Sequence, residues 1–269
     1  MRSAAPGTQL QERLQKVVGG SSRQELKVAL PRTENVSLSK RDLVFSDDQN
    51  AVWRDLYARQ LPNVQEFACR EYLEGFEMLG LPAERVPQLN ELNAVITSRT
   101  GWRTVRTVVR YSDAVPWYHH FARRQFLITD YMRGRHEMDF TPEPDMFHDI
   151  FGHLPFMVLP EYASLQELFA PAFMRASAEQ RENIKRLAWF STEFGLIRQA
   201  GEIRIFGAGL MSSFGEIGHV MAGNTPVQPF TIENVIGNQK AIYTFNEVLF
   251  VFDSIAALKA ELARYFDSL

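Results

Sequence analysis

Cysteine is almost missing from this sequence. Cys69 is the single one among 269 residues, so no internal disulfide can form, and neither a cysteine-rich zinc site nor an iron–sulfur cluster is available. Any metal must be held by histidine and carboxylate. Long apolar runs are missing too: Val248–Phe252 falls far short of the roughly 20 residues that span a bilayer. The opening "MRSAAPGTQLQERLQ" turns polar before a signal-peptide core could form. Neither sign of charge dominates, since 29 Lys and Arg face 32 Asp and Glu for a net charge of −3. No nucleic-acid or membrane partner is expected on that balance, and the cytoplasm is the default location. No period of roughly 20 to 50 residues recurs, which excludes a solenoid.

What is present reads as an ordinary globular chain, 45% hydrophobic and 23% charged, long enough for a sizeable core. Residues 1–45 read as a poorly defined N-terminal extension, broken by "GGSSRQ" at 19–24. From Asp47 the apolar spacing turns helical: Val52, Trp53, Leu56 and Tyr57 make one face, with Phe67, Tyr72, Phe76 and Met78 in the next helix. A helix starting near Pro116 is expected to carry "WYHHFARRQF". A longer one follows Ser177, which forms a capping-box pattern with Gln180 ahead of Ile184, Leu187, Ala188 and Phe194. "IRIFG" at 203–207 and "VLFVF" at 248–252 read as strands, and "SIAALKAELARYF" as a closing amphipathic helix. The fold class expected for 46–269 is mainly α, a single domain of packed helices with a few short strands.

The stretch "TPEPDMFHDIFGHLP", Thr141–Pro155, holds two of the six histidines, His148 and His153, five apart. Metal ligands on one helical face normally sit four apart, as in HExxH. On a regular helix a spacing of five turns the second side chain by roughly 140°. The pair is therefore expected to converge only if the helix stops between them. Gly152 can end a helix in the left-handed conformation and Pro155 cannot continue one, while Asp145 suits an N-cap. These signals predict a short helix over about 145–151, with His153 turned back past its end.

"WFSTEFGL", Trp189–Leu196, supplies the third candidate ligand. Glu193 lies among Phe190, Phe194 and Leu196, where a carboxylate costs several kcal/mol unless paired or ligating; the plain alternative is a Glu on the wet face of its helix. Two histidines and one carboxylate leave metal positions open, the set typical of non-haem Fe(II) oxygen chemistry.

Taken together, "TPEPDMFHDIFGH", "WFSTEFGL" and "FGAGLMSSFGEI" resemble the pterin-dependent aromatic amino acid hydroxylases, the family of phenylalanine, tyrosine and tryptophan hydroxylases, over roughly 45–266. The resemblance makes 46–269 an iron- and pterin-dependent hydroxylase catalytic domain. It implies that His148, His153 and Glu193 are the iron ligands and that Arg133, in "TDYMRGR", pairs with the substrate's carboxylate through its planar fork. Thr141 and Ser212 match residues that help hold the backbone end of the amino acid. Trp189, Pro144 and Ile242 match the ring pocket. For the pterin it implies stacking on Trp117, where the family usually has phenylalanine, and a loop "VRYSDAV" whose backbone reads the pterin edge around Tyr111, Ser112 and Val115. Asp149 stands beside the first ligand, where animal enzymes carry glutamate, in reach of water or pterin.

The implied reaction is hydroxylation of a free aromatic amino acid by O2, with a tetrahydropterin such as tetrahydrobiopterin giving two electrons at Fe(II). Ile242 and Trp189 make an apolar pocket that suits phenylalanine better than tyrosine, whose hydroxyl would seek a partner. Tyrosine is then the expected product. Ala188 stands where many relatives have a tyrosine, and that room keeps meta-hydroxylation or tryptophan as alternatives. Two other classes remain: a zinc hydrolase on the same ligands, and a non-catalytic pterin or amino-acid binding module. "GAGLMS" imitates a dinucleotide fingerprint, but Ser212 replaces its third small residue. A monomer is the simplest expectation, with a dimer through the N-terminal segment left open.

Overall fold

The computed structural model describes residues 44–107, 112–139, 141, 143–241 and 244–269. Nearly all of the expected 1–45 extension lies outside them, as do the expected pterin residue Tyr111 and pocket residue Ile242.

Ser46 opens helix α1 (Asp47–Phe67) by a capping box: its hydroxyl accepts from the Gln49 amide and the Gln49 side chain accepts from the Ser46 amide. Val52, Trp53, Leu56 and Val64 turn inward. Phe67 ends this helix rather than joining the next, because Pro62 is accommodated inside α1. Helix α2 (Arg70–Leu79) buries Tyr72 and stops at Gly80 with φ 63°. Met78, expected on its apolar face, is 42% exposed.

Helix α3 (Leu89–Thr100) leads to strand β1 (Arg103–Arg106), helix α4 (Ala114–Phe121) and strand β2 (Gln125–Ile128). The helix expected to run from Pro116 through Phe126 is shorter at its end and starts earlier. Arg124 turns the chain at φ 55°, and Gln125 and Phe126 enter β2, which pairs in parallel with β1. All four β2 residues are buried, so no alternation betrays the strand.

Further along come α5 (Leu154–Met157), α6 (Pro160–Gln166), α7 (Phe169–Arg175) and α8 (Ala178–Ala188). The expected Ser177–Gln180 capping box starts α8. Strands β3 (Leu196–Gln199), β4 (Glu202–Ile205), β5 (Val227–Pro229) and β6 (Leu249–Phe252) form a second sheet in the order β4-β3-β6-β5. Only the β3–β4 pair is antiparallel. Between them lie α9 (Ala208–Ser212), α10 (Phe214–Met221) and α11 (Ile232–Ile236), and α12 (Ile255–Asp267) closes the chain.

An aromatic cluster backs the segment that carries both histidines. Phe147 and Phe151 stack with centroids 4.7 Å apart, Trp53 meets Phe147 edge-on at 5.3 Å, and the Tyr72 hydroxyl donates to the Phe151 carbonyl at 2.7 Å. Burying each such phenylalanine contributes about 1.5–3 kcal/mol, which anchors that segment from behind. No helix among the described residues is long and apolar enough to cross a membrane.

Candidate metal centre

The helix does not stop between His148 and His153. Met146 and Phe147 begin a helix that passes through a π-helical turn, His148–His153, directly into α5. In a π turn the hydrogen bonds run from residue i to i+5, so side chains five apart come round to one side. The expected break over 145–151 is corrected on that ground. Gly152 has no positive φ; it is needed for space, since a Cβ there would lie 2.6 Å from the Ala208 carbonyl oxygen. Pro155 lies within this continuous helix, in the first turn of α5, rather than ending it as expected. Asp145 caps as expected, its Oδ1 accepting from the His148 amide at 3.1 Å.

Glu193 stands on a second π turn, Trp189–Glu193, that prolongs α8. Its closing bond runs from the Phe194 amide to the Trp189 carbonyl at 2.8 Å. Helix α9 touches both turns: Ala208 faces Gly152, and a Cβ on Gly207 would meet the Glu193 carbonyl oxygen at 2.2 Å.

These turns bring three donors together. His153 Nε2 lies 3.1 Å from His148 Nε2 and 3.2 Å from Glu193 Oε1, and His148 Nε2 lies 3.5 Å from Glu193 Oε2. All the donor atoms fall within 4.8 Å of one another. Ser212 Oγ, which donates to the Ala208 carbonyl at 2.9 Å, accepts from His148 Nδ1 at 2.8 Å. With its proton on Nδ1, His148 directs the Nε2 lone pair at the shared point. Two ring nitrogens that converge at 3.1 Å beside a carboxylate need a proton or a cation between them.

The electrostatics agree. Burial and the neighbouring His153 push His148 down to about 4. Burial also opposes charge on His153 and Glu193, yet their mutual attraction prevails, raising the imidazole and lowering the carboxyl. The cluster therefore favours positive charge at its centre, which a divalent cation supplies in place of a proton. Two imidazoles, one carboxylate and no thiolate fit iron(II).

Around this centre, Arg133 is 6% exposed and Asp145 fully buried. Arg133 donates from Nε at 2.8 Å, from Nη2 at 2.7 Å and from its amide at 3.0 Å to the Asp145 carboxylate. Burial works against the charge on Asp145, but Arg133 outweighs it and holds the carboxyl below its usual range. Asp145, read from sequence only as a cap, thus also ties Arg133 to the first π turn. Asp149 accepts from the Thr129 amide at 2.7 Å, and burial lifts its carboxyl to about 7. Trp117 packs against Phe126 at 5.2 Å, and Phe126 lies 5.1 Å from the His153 ring. The Ser112 hydroxyl oxygen is buried without a partner among the described residues, an opening for a polar ligand edge. Val115 is exposed. Thr141 Oγ1 donates within its own loop to the Glu143 carbonyl at 2.9 Å, and Pro144 is exposed.

Sequence reasoning did not single out Asn246 or Glu216. The Trp189 indole Nε1 donates to Asn246 Oδ1 at 2.8 Å, and Glu216 Oε1 accepts from the Asn246 amide and Nδ2 at 3.0 and 2.8 Å. Glu216 stood inside the quoted "FGEI", but nothing in the sequence pointed to Asn246.

The family model described as biopterin-dependent aromatic amino acid hydroxylase matches residues 34–269. The phenylalanine-4-hydroxylase of Mesorhizobium japonicum is 36% identical over 222 residues, spanning 81% of this chain and 80% of the relative. Among solved structures, phenylalanine hydroxylase of Chromobacterium violaceum with bound oxidised Fe(III) superposes with a TM-score of 0.82 at 32% identity, covering 91% of this chain and 90% of the other. The same enzyme with bound iron(III) and 7,8-dihydrobiopterin gives 0.81 at 29% identity, covering 99% and 92%.

Proposed function

This chain belongs to the biopterin-dependent aromatic amino acid hydroxylase family, and on that premise we propose that it hydroxylates the ring of free L-phenylalanine to tyrosine. O2 and a tetrahydropterin are the co-substrates, and His148, His153 and Glu193 hold the iron. The observation that carries the reading is the convergence of these three side chains from two π turns.

Iron held at this triad would, with the pterin, supply the activation of O2: one oxygen atom would enter the ring and the other would go to the pterin, which gives two electrons. The chain's own residues position and protect that chemistry. Ser212 keeps His148 in the tautomer whose Nε2 faces inward. Arg133, braced by Asp145, offers a fixed cation to the carboxylate of the amino acid. Trp189 and Phe194, with ring centroids 4.5 Å apart, form an apolar wall beside Glu193 that excludes water from the ring. Trp117 offers its face to the pterin, and the Ser112 hydroxyl and Asp149 offer polar groups to it.

The test is turnover. Protein loaded with Fe(II) is supplied with tetrahydropterin and O2 and offered phenylalanine, tyrosine and tryptophan separately, with products separated by chromatography. Tyrosine from phenylalanine is the expected result. meta-Tyrosine would move the ring position to the alternative that Ala188 raised, and no product from an iron-loaded protein would overturn the reading.

A further inference from the structure

Glu216 is a carboxylate only 6% exposed, and the metal centre does not use it. A buried carboxyl is costly, and an apolar side chain of similar volume would often serve stability as well or better. What Glu216 does is hold one asparagine. Its Oε1 accepts from both the backbone amide and the side-chain Nδ2 of Asn246, which is itself 4% exposed.

That double acceptance decides which way the amide points. An asparagine side chain offers a carbonyl at one end and an NH2 at the other. With Nδ2 committed to Glu216, Oδ1 must face the opposite way, where it meets the indole N–H of Trp189 at 2.8 Å. An inverted amide would set NH2 against N–H, two donors with nothing to accept. Glu216 sits on α10, directly after Ser212 of α9. Two consecutive helices therefore hold both His148, through Ser212, and the plane of the Trp189 indole, through Glu216 and Asn246. Trp189 is the first residue of the π turn that ends in Glu193, and both side chains are half-buried on it.

We propose that Glu216 and Asn246 are positioning residues that lock the Trp189 indole in one orientation and so set where the ring of the aromatic amino acid lies relative to the metal triad. The proposal rests on Trp189 lining the substrate pocket, as the proposed function has it. Neither Glu216 nor Asn246 touches the metal ligands. The lock acts on the fit of the ring, on how much pterin oxidation ends in product, and not on metal or pterin binding.

Two readouts test it in the iron-loaded protein. The first is hydrogen exchange of the indole N–H groups in tryptophan-labelled protein, with Trp53, whose Nε1 donates to the Pro82 carbonyl at 2.8 Å, as internal reference. The Trp189 N–H is protected in the wild type. Asn246→Ala and Glu216→Leu speed its exchange roughly tenfold, the loss of one hydrogen bond, with Trp53 unchanged. Glu216→Gln, whose amide oxygen can still accept from Asn246, restores protection relative to Glu216→Leu.

The second readout is the ratio of hydroxylated amino acid to pterin consumed, with KM for each. Asn246→Ala lowers the ratio and raises KM for phenylalanine several-fold, leaving KM for the pterin and the iron content unchanged. Trp189→Phe, which keeps an apolar wall but loses the N–H, does the same, and Asn246→Ala added to it has little further effect. Additive effects in that double variant, or a freed indole with an unchanged ratio and unchanged KM, would overturn the proposal. Absence of turnover in the wild type would instead overturn the hydroxylase reading; the exchange of the Trp189 N–H would then decide the lock alone, upheld if protected and overturned if free.

Discussion

Ser212 Oγ and His148 Nδ1 stand 2.8 Å apart, and the direction of that bond is set by the serine's other partner. With its hydroxyl proton on the Ala208 carbonyl, the serine accepts from the histidine Nδ1. The imidazole is thereby fixed in orientation and tautomer before any metal arrives. From sequence, Ser212 was expected to hold the backbone end of the amino acid; the geometry gives it a direct hold on a candidate ligand.

Ser212→Ala is expected to weaken iron(II) binding about 10–100-fold, as loss of the outer partner of a metal-bound histidine does, while the fold melts near the wild-type temperature. A chelator competition titration measures this. Unchanged iron affinity together with a raised KM for phenylalanine would return Ser212 to the substrate role.

Asp145→Ala leaves Arg133 buried without its carboxylate partner. The expected loss of stability is about 3–5 kcal/mol, the cost of breaking a buried pair by removing one partner, read from denaturant unfolding. Affinity for phenylalanine falls as well, because the guanidinium is no longer held in place. Stability within experimental error of the wild type would refute the clamp.

Gly207→Ala places a methyl group against the Glu193 carbonyl, where the available distance is 2.2 Å. Overpacking of this kind costs about 1–3 kcal/mol, and displacement of the second π turn should lower iron affinity in parallel. Gly218, in α10, is the control: nothing lies within 4 Å of a Cβ there, so Gly218→Ala is expected to hold or slightly raise stability. Equal behaviour of the two variants would show that the close approach has no consequence.

The stability of Glu216→Gln relative to the wild type should rise with pH. Burial pushes the Glu216 carboxyl above the ordinary carboxylate range, although the bonds from Asn246 oppose this. A carboxyl whose folded pKa is raised contributes stability below its unfolded pKa and loses it as pH rises through the folded pKa. The glutamine has no such loss, so the melting-temperature difference should move in its favour as pH rises above the ordinary glutamate range. A difference that stays flat or moves the other way would argue that Glu216 is ionised without cost.

The sequence by itself carried the chemistry and the local signals. His148, His153 and Glu193 stood out because a metal site here had to be built without cysteine, and Ser177, Gln180 and the apolar spacing of 255–266 are signals read between residues a turn apart. Such features are written in neighbours, so they survive without a fold. Only the tertiary structure decided how a spacing of five becomes convergent. A π turn and a broken helix look alike in sequence, and the difference is made by what packs around the segment: Phe147 and Phe151 behind it, Ala208 against Gly152 in front. The short strands β1, β2, β3 and β5 went unread for a related reason, since three or four residues give too little pattern to recognise before a partner strand exists. The bonds of Asp145 to Arg133, and of Asn246 to Trp189 and Glu216, span 12, 57 and 30 positions. No local rule pairs such residues; the folded chain brings them into contact.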